Sequence, residues 1–360
     1  MRHSRIPIIL TFLSLALVLG GCLAPTLPPG DSTSSVARPG DYDLTGSSNY
    51  VTTATGSDLY PLFVGARWLY RNAASFWNPE IASSGLLETE VVAIVQARDA
   101  QCYVLQSRYS NGPDELLYVH RTGTQVQLLA EQPVVATGAQ PDYSLHPGLA
   151  VLKLPLAEDK SWPLETTAGV GEAYVYHTEV VAMEAGVVKT LLGTYSPIFT
   201  DAWRVHYELP AGGPRFYGGS VQYLWYVPGV GVAKHVLNSV DYELAEFRLP
   251  EEIVSLTRYD DGRTTSLPNG GMAFVQLRGD ADPLDGWAWH LTEMDGASLE
   301  FLSETFYGDI YPAGTSTGTY AYQFRSIAPG TTTLVFELMH AATGTIGNRV
   351  ELTVVVEFGL

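Results

Sequence analysis

Three aspartates, Asp280, Asp282 and Asp285, crowd the stretch ahead of Gly286, and clustered carboxylates on a tight turn are the donor set that calcium prefers. The spacing argues against it. Counted from Asp280, a twelve-residue calcium loop needs an oxygen ligand at its fifth position and a glutamate at its twelfth, and those positions hold Leu284 and Leu291. Aspartates ahead of a glycine also build turns with no ion, because the side chain bonds its own backbone. No metal and no cofactor is therefore expected. The eight histidines are scattered, with no His-x-x-x-His pair and none at ligand spacing from Cys102. Phosphate-binding glycine loops and the histidine–glutamate zinc motif are absent, and the carboxylates are too numerous to single out a glycosidase pair. His206 and His235 fall in alternating stretches, where a histidine packs or faces solvent. The chain reads as a non-enzyme.

One residue type does point to covalent chemistry. Arg2 and Arg5 precede the apolar run Ile6 to Leu19, which is short for a membrane span and closes on Leu19-Gly20-Gly21-Cys22. Small residues beside a cysteine let a signal peptidase reach the backbone after the thiol is acylated, and the segment resembles the bacterial lipobox. Residues 1–21 are thus expected to be a lipoprotein signal peptide, and Cys22 the lipidation site that holds the chain to a membrane of the cell envelope, outside the cytoplasm. With Cys22 acylated, Cys102 has no disulfide partner; it lies in Gln101-Cys102-Tyr103-Val104-Leu105 and reads as a small buried apolar residue. The formal charge of −18 becomes more negative once the two arginines leave with the signal peptide. Such a surface repels phosphate backbones, so nucleic acid is not expected as a partner.

The elements that would carry a site follow from composition and pattern. Residues 22–57, rich in Pro, Ser, Thr and Gly, lack the apolar content to offset folding entropy and read as the lipidated end and a tether, with a span on the order of 30 to 35 Å. From Tyr60 onward short apolar runs alternate with turn signals, the mark of an all-β protein. Expected strands include Leu87 to Gln96, Cys102 to Tyr109, Leu116 to His120, Gln125 to Leu129, Ala173 to Val181, Ala202 to Leu209, Val221 to Val227 and Val232 to Leu237. The length exceeds what one core supports, and Pro250 with Glu251 and Glu252 suggests a seam between an antiparallel β domain, 58–250, and a second domain, 251–360. Within the first, Pro61-Leu62 leads to Trp68 and Pro155-Leu156 leads to Trp162 at the same step, either two related halves or chance. Tyr60-Pro61-Leu62 with Trp68, and Trp225 through Lys234, resemble uncharacterised bacterial lipoproteins, which implies an envelope domain without known chemistry.

The second domain opens with Ile253 to Thr257, turns at Asp260-Asp261-Gly262, and continues into the alternating strand Met272 to Leu277. Next come Asp282-Pro283-Leu284-Asp285-Gly286 and the strand Trp287-Ala288-Trp289-His290-Leu291, with Trp287, Trp289 and Leu291 on one face. A glycine-bearing loop around Tyr311 to Gly318, the run Ala328 to Leu334 and the strand Val350 to Val356 complete the series. In order and spacing this resembles the chagasin family of cysteine-peptidase inhibitors. The resemblance implies an immunoglobulin-like β-sandwich whose three end loops wedge into the cleft of a papain-like cysteine protease. It assigns the first loop to Asp282, Pro283, Leu284, Asp285 and Gly286, the second to Ser316, Thr317 and Gly318, and the third to His340, Ala341 and Ala342. Where the family carries Arg-Pro-Trp in the third loop this chain has His340-Ala341-Ala342, and Asp285 replaces a threonine. The expected function is a membrane-anchored inhibitor of papain-like proteases; the alternative is a non-inhibitory envelope lipoprotein with a degenerate inhibitor-like sandwich.

Overall fold

A computed structural model describes residues 59–72, 85–97, 100–110, 114–133, 144–157, 159–164, 167–168, 178–189, 198–207, 221–237, 240–248, 252–280, 286–310 and 317–358. The expected signal peptide, Cys22 and the tether lie outside the described residues. The protein is all-β. Among the described residues thirteen strands form one curled sheet: β1 Arg67–Asn72, β2 Leu86–Ala97, β3 Ala100–Tyr109, β4 Glu115–Arg121, β5 Gln125–Pro133, β6 Ser144–Lys153, β7 Ser161–Leu164, β8 Thr167–Ala168, β9 Thr178–Lys189, β10 Ile198–Tyr207, β11 Val221–Val227, β12 Gly231–Leu237 and β13 Val240–Phe247. The remaining strands make two four-stranded sheets. These are β14 Ile253–Thr257, β15 Thr264–Pro268, β16 Met272–Asp280, β17 Trp287–Asp295, β18 Leu299–Gly308, β19 Thr317–Ser326, β20 Gly330–His340 and β21 Ile346–Glu357.

The order of the large sheet is β7-β9-β10-β11-β12-β13-β1-β2-β3-β4-β5-β6-β8. It comprises two antiparallel runs of six strands, β1 to β6 and β7 with β9 to β13, joined where β13 pairs with β1, and the short β8 is added beside β6. Trp68 and Trp162 each occupy the second position of the first strand in their run, which gives the sequence echo a structural basis. Side chains draw the far ends of the sheet together: the Trp162 indole donates to the Ala150 carbonyl at 2.8 Å, and the Tyr207 hydroxyl to the Val151 carbonyl at 2.6 Å. The segment before β1 fills the inside of the curl. Tyr60 stacks on Trp68 and meets Tyr226 edge-on, while the Trp68 indole donates to the Val230 carbonyl at 2.6 Å. Gly231, at φ +91°, admits this packing; a Cβ there would stand 3.2 Å from Pro61. The segment Tyr60 to Trp68 and the segment Trp225 to Lys234, distant in sequence, are therefore one contact.

The last eight strands form a sandwich, β14-β16-β19-β18 over β15-β21-β20-β17. Its core holds Leu256, Val275, Leu277, Trp289, Tyr322, Phe324, Phe336, Leu352 and Val354. The turn after β14 is a capped 3-10 turn, Arg258–Asp260, in which the Asp260 carboxylate accepts from the Thr257 N–H at 2.9 Å.

Strand β16 is buried on both faces. Ala273, Val275 and Leu277 enter the sandwich core, whereas Met272 and Phe274 enter the core of the large sheet together with Ile253. Gln276 and Arg278, on that same outer face, are nearly inaccessible at 3% and 4%. Gln276 meets the half of β2 that runs past β1, and Arg278 reaches it through Asp309; the backbone groups of Ile94 and Gln96 there are not taken by β1. Unpaired buried backbone groups are costly, and the sandwich supplies partners for all four. Ile94 N–H donates to Gln276 Oε1 at 2.9 Å, and Thr319 Oγ1 donates to the Ile94 carbonyl at 2.7 Å. Gln96 N–H donates to Asp309 Oδ1 at 2.9 Å, and Ile310 N–H to the Gln96 carbonyl at 3.0 Å. Asp309 in turn takes both guanidinium N–H groups of Arg278, at 2.6 and 2.5 Å. A third apolar cluster, in which Val92, Val95, Cys102 and Tyr118 pack on Tyr307, Ile310 and Ala321, seals the contact.

A buried ion pair contributes little against an apolar substitute, but removing one member strands the other charge. Asp309→Ala is expected to lower unfolding free energy by about 3 to 5 kcal/mol, read as the urea midpoint of residues 23–360. The paired change Arg278→Met with Asp309→Leu is expected to recover a large part of that loss.

Candidate functional site

The ends of the sandwich strands decide which loops meet. Asp280 pairs with Thr317 in one sheet; in the other Trp287 pairs with His340 and Met339 with Ile346. Residues 281–286 join the end of β16 to the start of β17 and so link these ends of the two sheets. The described bases of the three segments assigned from sequence therefore stand at one end of the sandwich. Asp282, Pro283, Leu284, Asp285 and Ser316 lie outside the described residues; Gly286, Thr317, Gly318, His340, Ala341 and Ala342 lie within them.

The first and third segments are tied directly. Ala341 N–H donates to the Gly286 carbonyl at 2.5 Å, and the His340 imidazole meets the Trp287 ring edge-on at 5.2 Å. Gly286 sits at φ +68°, the left-handed region that glycine enters without strain, and a Cβ there would lie 3.3 Å from His340 Nε2. His340 Nδ1 is buried with no hydrogen-bond partner among the described residues. The third loop closes on itself: Thr343 and Gly344 N–H donate to the His340 carbonyl at 3.2 and 2.8 Å, and His340 N–H donates to the Thr345 carbonyl at 2.9 Å. Ala341 and Ala342 are left exposed at its tip.

Below this end Trp289 is buried, and its indole donates to the Arg278 carbonyl at 2.7 Å. Trp287 is only half-buried and lies over Gly347, where a Cβ would stand 2.5 Å from its ring. Both tryptophans therefore serve the scaffold. Thr317 Oγ1 donates to Asp309 Oδ2 at 2.7 Å and the Thr317 carbonyl accepts from Asp309 N–H at 2.9 Å, so the second loop rests on the carboxylate that caps β2. Gly318 has an internal reason to be glycine. It is buried, and a Cβ would fall 2.3 Å from the Tyr307 carbonyl and 2.4 Å from the Phe306 ring. The close approach that its small size permits is by a neighbouring strand of the same chain.

Other reactive types in the sequence are placed out of use. His235 is wholly buried edge-on to Tyr70 at 4.2 Å, and burial pushes its pKa down to about 3, so it is neutral at ordinary pH. His206 stacks on Tyr223 at 4.6 Å. Cys102 is buried, and loss of solvent drives its thiol pKa far upward, which leaves no thiolate for chemistry. Gly314-Thr315-Ser316-Thr317-Gly318 has the Gly-x-Ser-x-Gly spelling of a nucleophile elbow. That motif works on a strand-to-helix turn, whereas here Thr317 and Gly318 already belong to β19. Among the described residues no group of acids, histidines and cysteines is arranged to hold a metal.

No protein-family model matches this chain, and no curated protein does. Solved structures give partial likenesses. A cysteine protease inhibitor from Entamoeba histolytica matches 29% of this chain over 96% of its own, at 22% identity and a TM-score of 0.26. Amebosin matches 29% over 97%, at 21% identity and 0.24. PbICP-C, solved in complex with falcipain-2, matches 31% over 95%, at 14% identity and 0.22.

Proline at the position of Ala341 would remove the N–H that links the third loop to Gly286. Ala341→Pro is expected to cost about 1 kcal/mol and to lower the thermal midpoint by a few degrees, while Ala341→Ser, which keeps the N–H, leaves the midpoint in place; both are read by calorimetry.

Proposed function

We propose that the protein is a membrane-anchored inhibitor of papain-like cysteine proteases, acting through the three loops at one end of the sandwich. The observation that carries the reading is the convergence of the loop bases: Gly286 is bonded to Ala341, and Thr317 is fixed by Asp309. A wedge of this kind must hold its shape before it meets a cleft, because ordering loops on binding subtracts from affinity. The bonds at Gly286 and Thr317 hold the loop bases in advance, which supports this reading. The backbone of Asp282 to Gly286 would lie along the cleft, with Asp285 facing the protease thiolate and imidazolium. A carboxylate there either pairs with the imidazolium or repels the thiolate, and both demand desolvation. Lipidation at Cys22 would place the molecule on the envelope, with residues 23–57 as the tether.

The exposed Ala341 and Ala342 favour a second reading, an envelope lipoprotein that keeps the sandwich and has lost its grip on proteases. An aromatic anchor at an interface is commonly worth about 2 kcal/mol or more, a factor of about thirty in affinity.

Titration of papain with residues 23–360, followed with a fluorogenic peptide, separates the two. The inhibitor reading expects loss of activity at micromolar protein or below, abolished by deleting Pro283 to Asp285. It also expects Ala342→Trp to tighten inhibition about thirtyfold, with the Ala341 N–H left in place. Activity unchanged at micromolar protein for both the parent chain and Ala342→Trp would leave the second reading. For the anchor, mass spectrometry of the protein expressed with its leader in a bacterium should find a lipid-modified Cys22 at the N-terminus; an unmodified chain that retains Met1 would refute it.

A further inference from the structure

An asparagine followed by glycine is prone to cyclise, because the glycine nitrogen can reach the asparagine carboxamide with no side chain in the way. The sequence holds two such pairs, Asn111-Gly112 and Asn269-Gly270, and the first lies outside the described residues. The second makes the turn from β15 to β16, closed by the bond from Gly271 N–H to the Pro268 carbonyl at 3.0 Å. Pro268, Asn269 and Gly270 are all exposed. Gly270 stands at φ +85°, and a Cβ there would meet nothing within 4 Å. Among the described residues neither the Asn269 carboxamide nor the Gly270 N–H has a hydrogen-bond partner, so neither is held away from the other. Asn348 offers the contrast: its Oδ1 accepts from the Arg349 N–H at 2.9 Å, and the residue that follows it carries a long side chain.

We propose that Asn269 deamidates spontaneously in the folded protein, which makes this turn a site of covalent modification. The Gly270 nitrogen, its proton given up to water, attacks Asn269 Cγ. A carbon–nitrogen bond forms there, the bond from Cγ to the side-chain nitrogen breaks, and that nitrogen takes up a proton and leaves as ammonia. Water then opens the cyclic imide. Attack at Cγ restores the ordinary backbone and leaves aspartate; attack at the main-chain carbonyl leaves isoaspartate, with the backbone routed through Cγ. Either product adds a negative charge, but isoaspartate also adds a methylene to a turn that has no slack. A Cβ on Gly271 would stand 2.8 Å from Leu267 and 2.9 Å from the Glu252 and Pro268 carbonyls. Ser326 N–H donates to the Gly271 carbonyl at 2.9 Å and Ser326 Oγ to the Pro268 carbonyl at 2.8 Å, so the turn is pinned to the end of β19. None of this depends on the inhibitor reading, because the turn opens β16 at Met272 and Arg325, the opposite end from Asp280 and Thr317.

The test keeps residues 23–360 folded in mildly alkaline buffer and follows the fragment that carries position 269 by mass spectrometry, beside a synthetic peptide of residues 266–273. The folded chain is expected to gain the mass of one amide-to-acid change at Asn269, at a rate within about tenfold of the free peptide's, since exposed turns open at little free-energy cost. Asn269→Gln, whose longer side chain would have to close a larger ring, should stay unchanged at that position over the same period. A slower conversion in the folded chain, or none, overturns the proposal, as does equal conversion in Asn269→Gln. As a second measurement, the isoaspartyl form, isolated by hydrophobic-interaction chromatography, should melt below Asn269→Asp, which carries the charge without the longer backbone. Equal thermal midpoints for the two would overturn the account of a turn without slack.

Discussion

The pairing of Arg278 with Asp309 is the interaction on which the arrangement of this protein depends. A strand that outruns its neighbour exposes a row of backbone donors and acceptors, and in water such an edge invites unwanted pairing. Here β2 outruns β1, and the exposed edge is covered by the sandwich. Asp309 can turn one oxygen to the Gln96 N–H and the other to Thr317 only while a cation neutralises it, and Arg278 supplies that cation from the next strand but one. Both side chains are almost fully shielded, at 3% and 4%. The cost of desolvating them is offset by two guanidinium bonds, the bond to Gln96 and the surrounding apolar cluster.

The same carboxylate stands at the root of the second loop. Scaffold stability and loop placement are thereby coupled: whatever loosens the contact between the large sheet and the sandwich loosens Thr317 as well. The first and third loops have a separate tie, the bond from Ala341 to Gly286. A proline at position 341 could not donate that bond.

Much of the fold was legible because alternation and turn chemistry are local. The stretch expected as a strand from Val221 to Val227 is a strand with those bounds, and Leu87 to Gln96 lies within Leu86–Ala97. The turn at Asp260-Asp261-Gly262 was legible for the same reason, and the structure adds that Asp260 caps it by bonding Thr257, only three positions away. Gln276 and Arg278 were not legible as buried. Period-two alternation says that they share a face with Met272 and Phe274, but whether that face meets water or another sheet depends on residues nearly two hundred positions earlier. The reason for Gly318 was hidden in the same way, because the atoms that exclude a Cβ there belong to β18.

By itself the sequence determined an all-β chain, the strand periods, the turns and the order of three candidate loops, since each rests on preferences that act within a few residues. It also gave Cys102 as a small buried apolar residue. Tertiary structure alone decided that the sheet curls until Trp162 reaches Ala150, that β16 is buried on both faces, and that the end of β2 pairs with the chain at Ile310. Each of these rests on contacts between distant segments, formed because unpaired backbone groups and a buried carboxylate must find partners wherever the chain brings them.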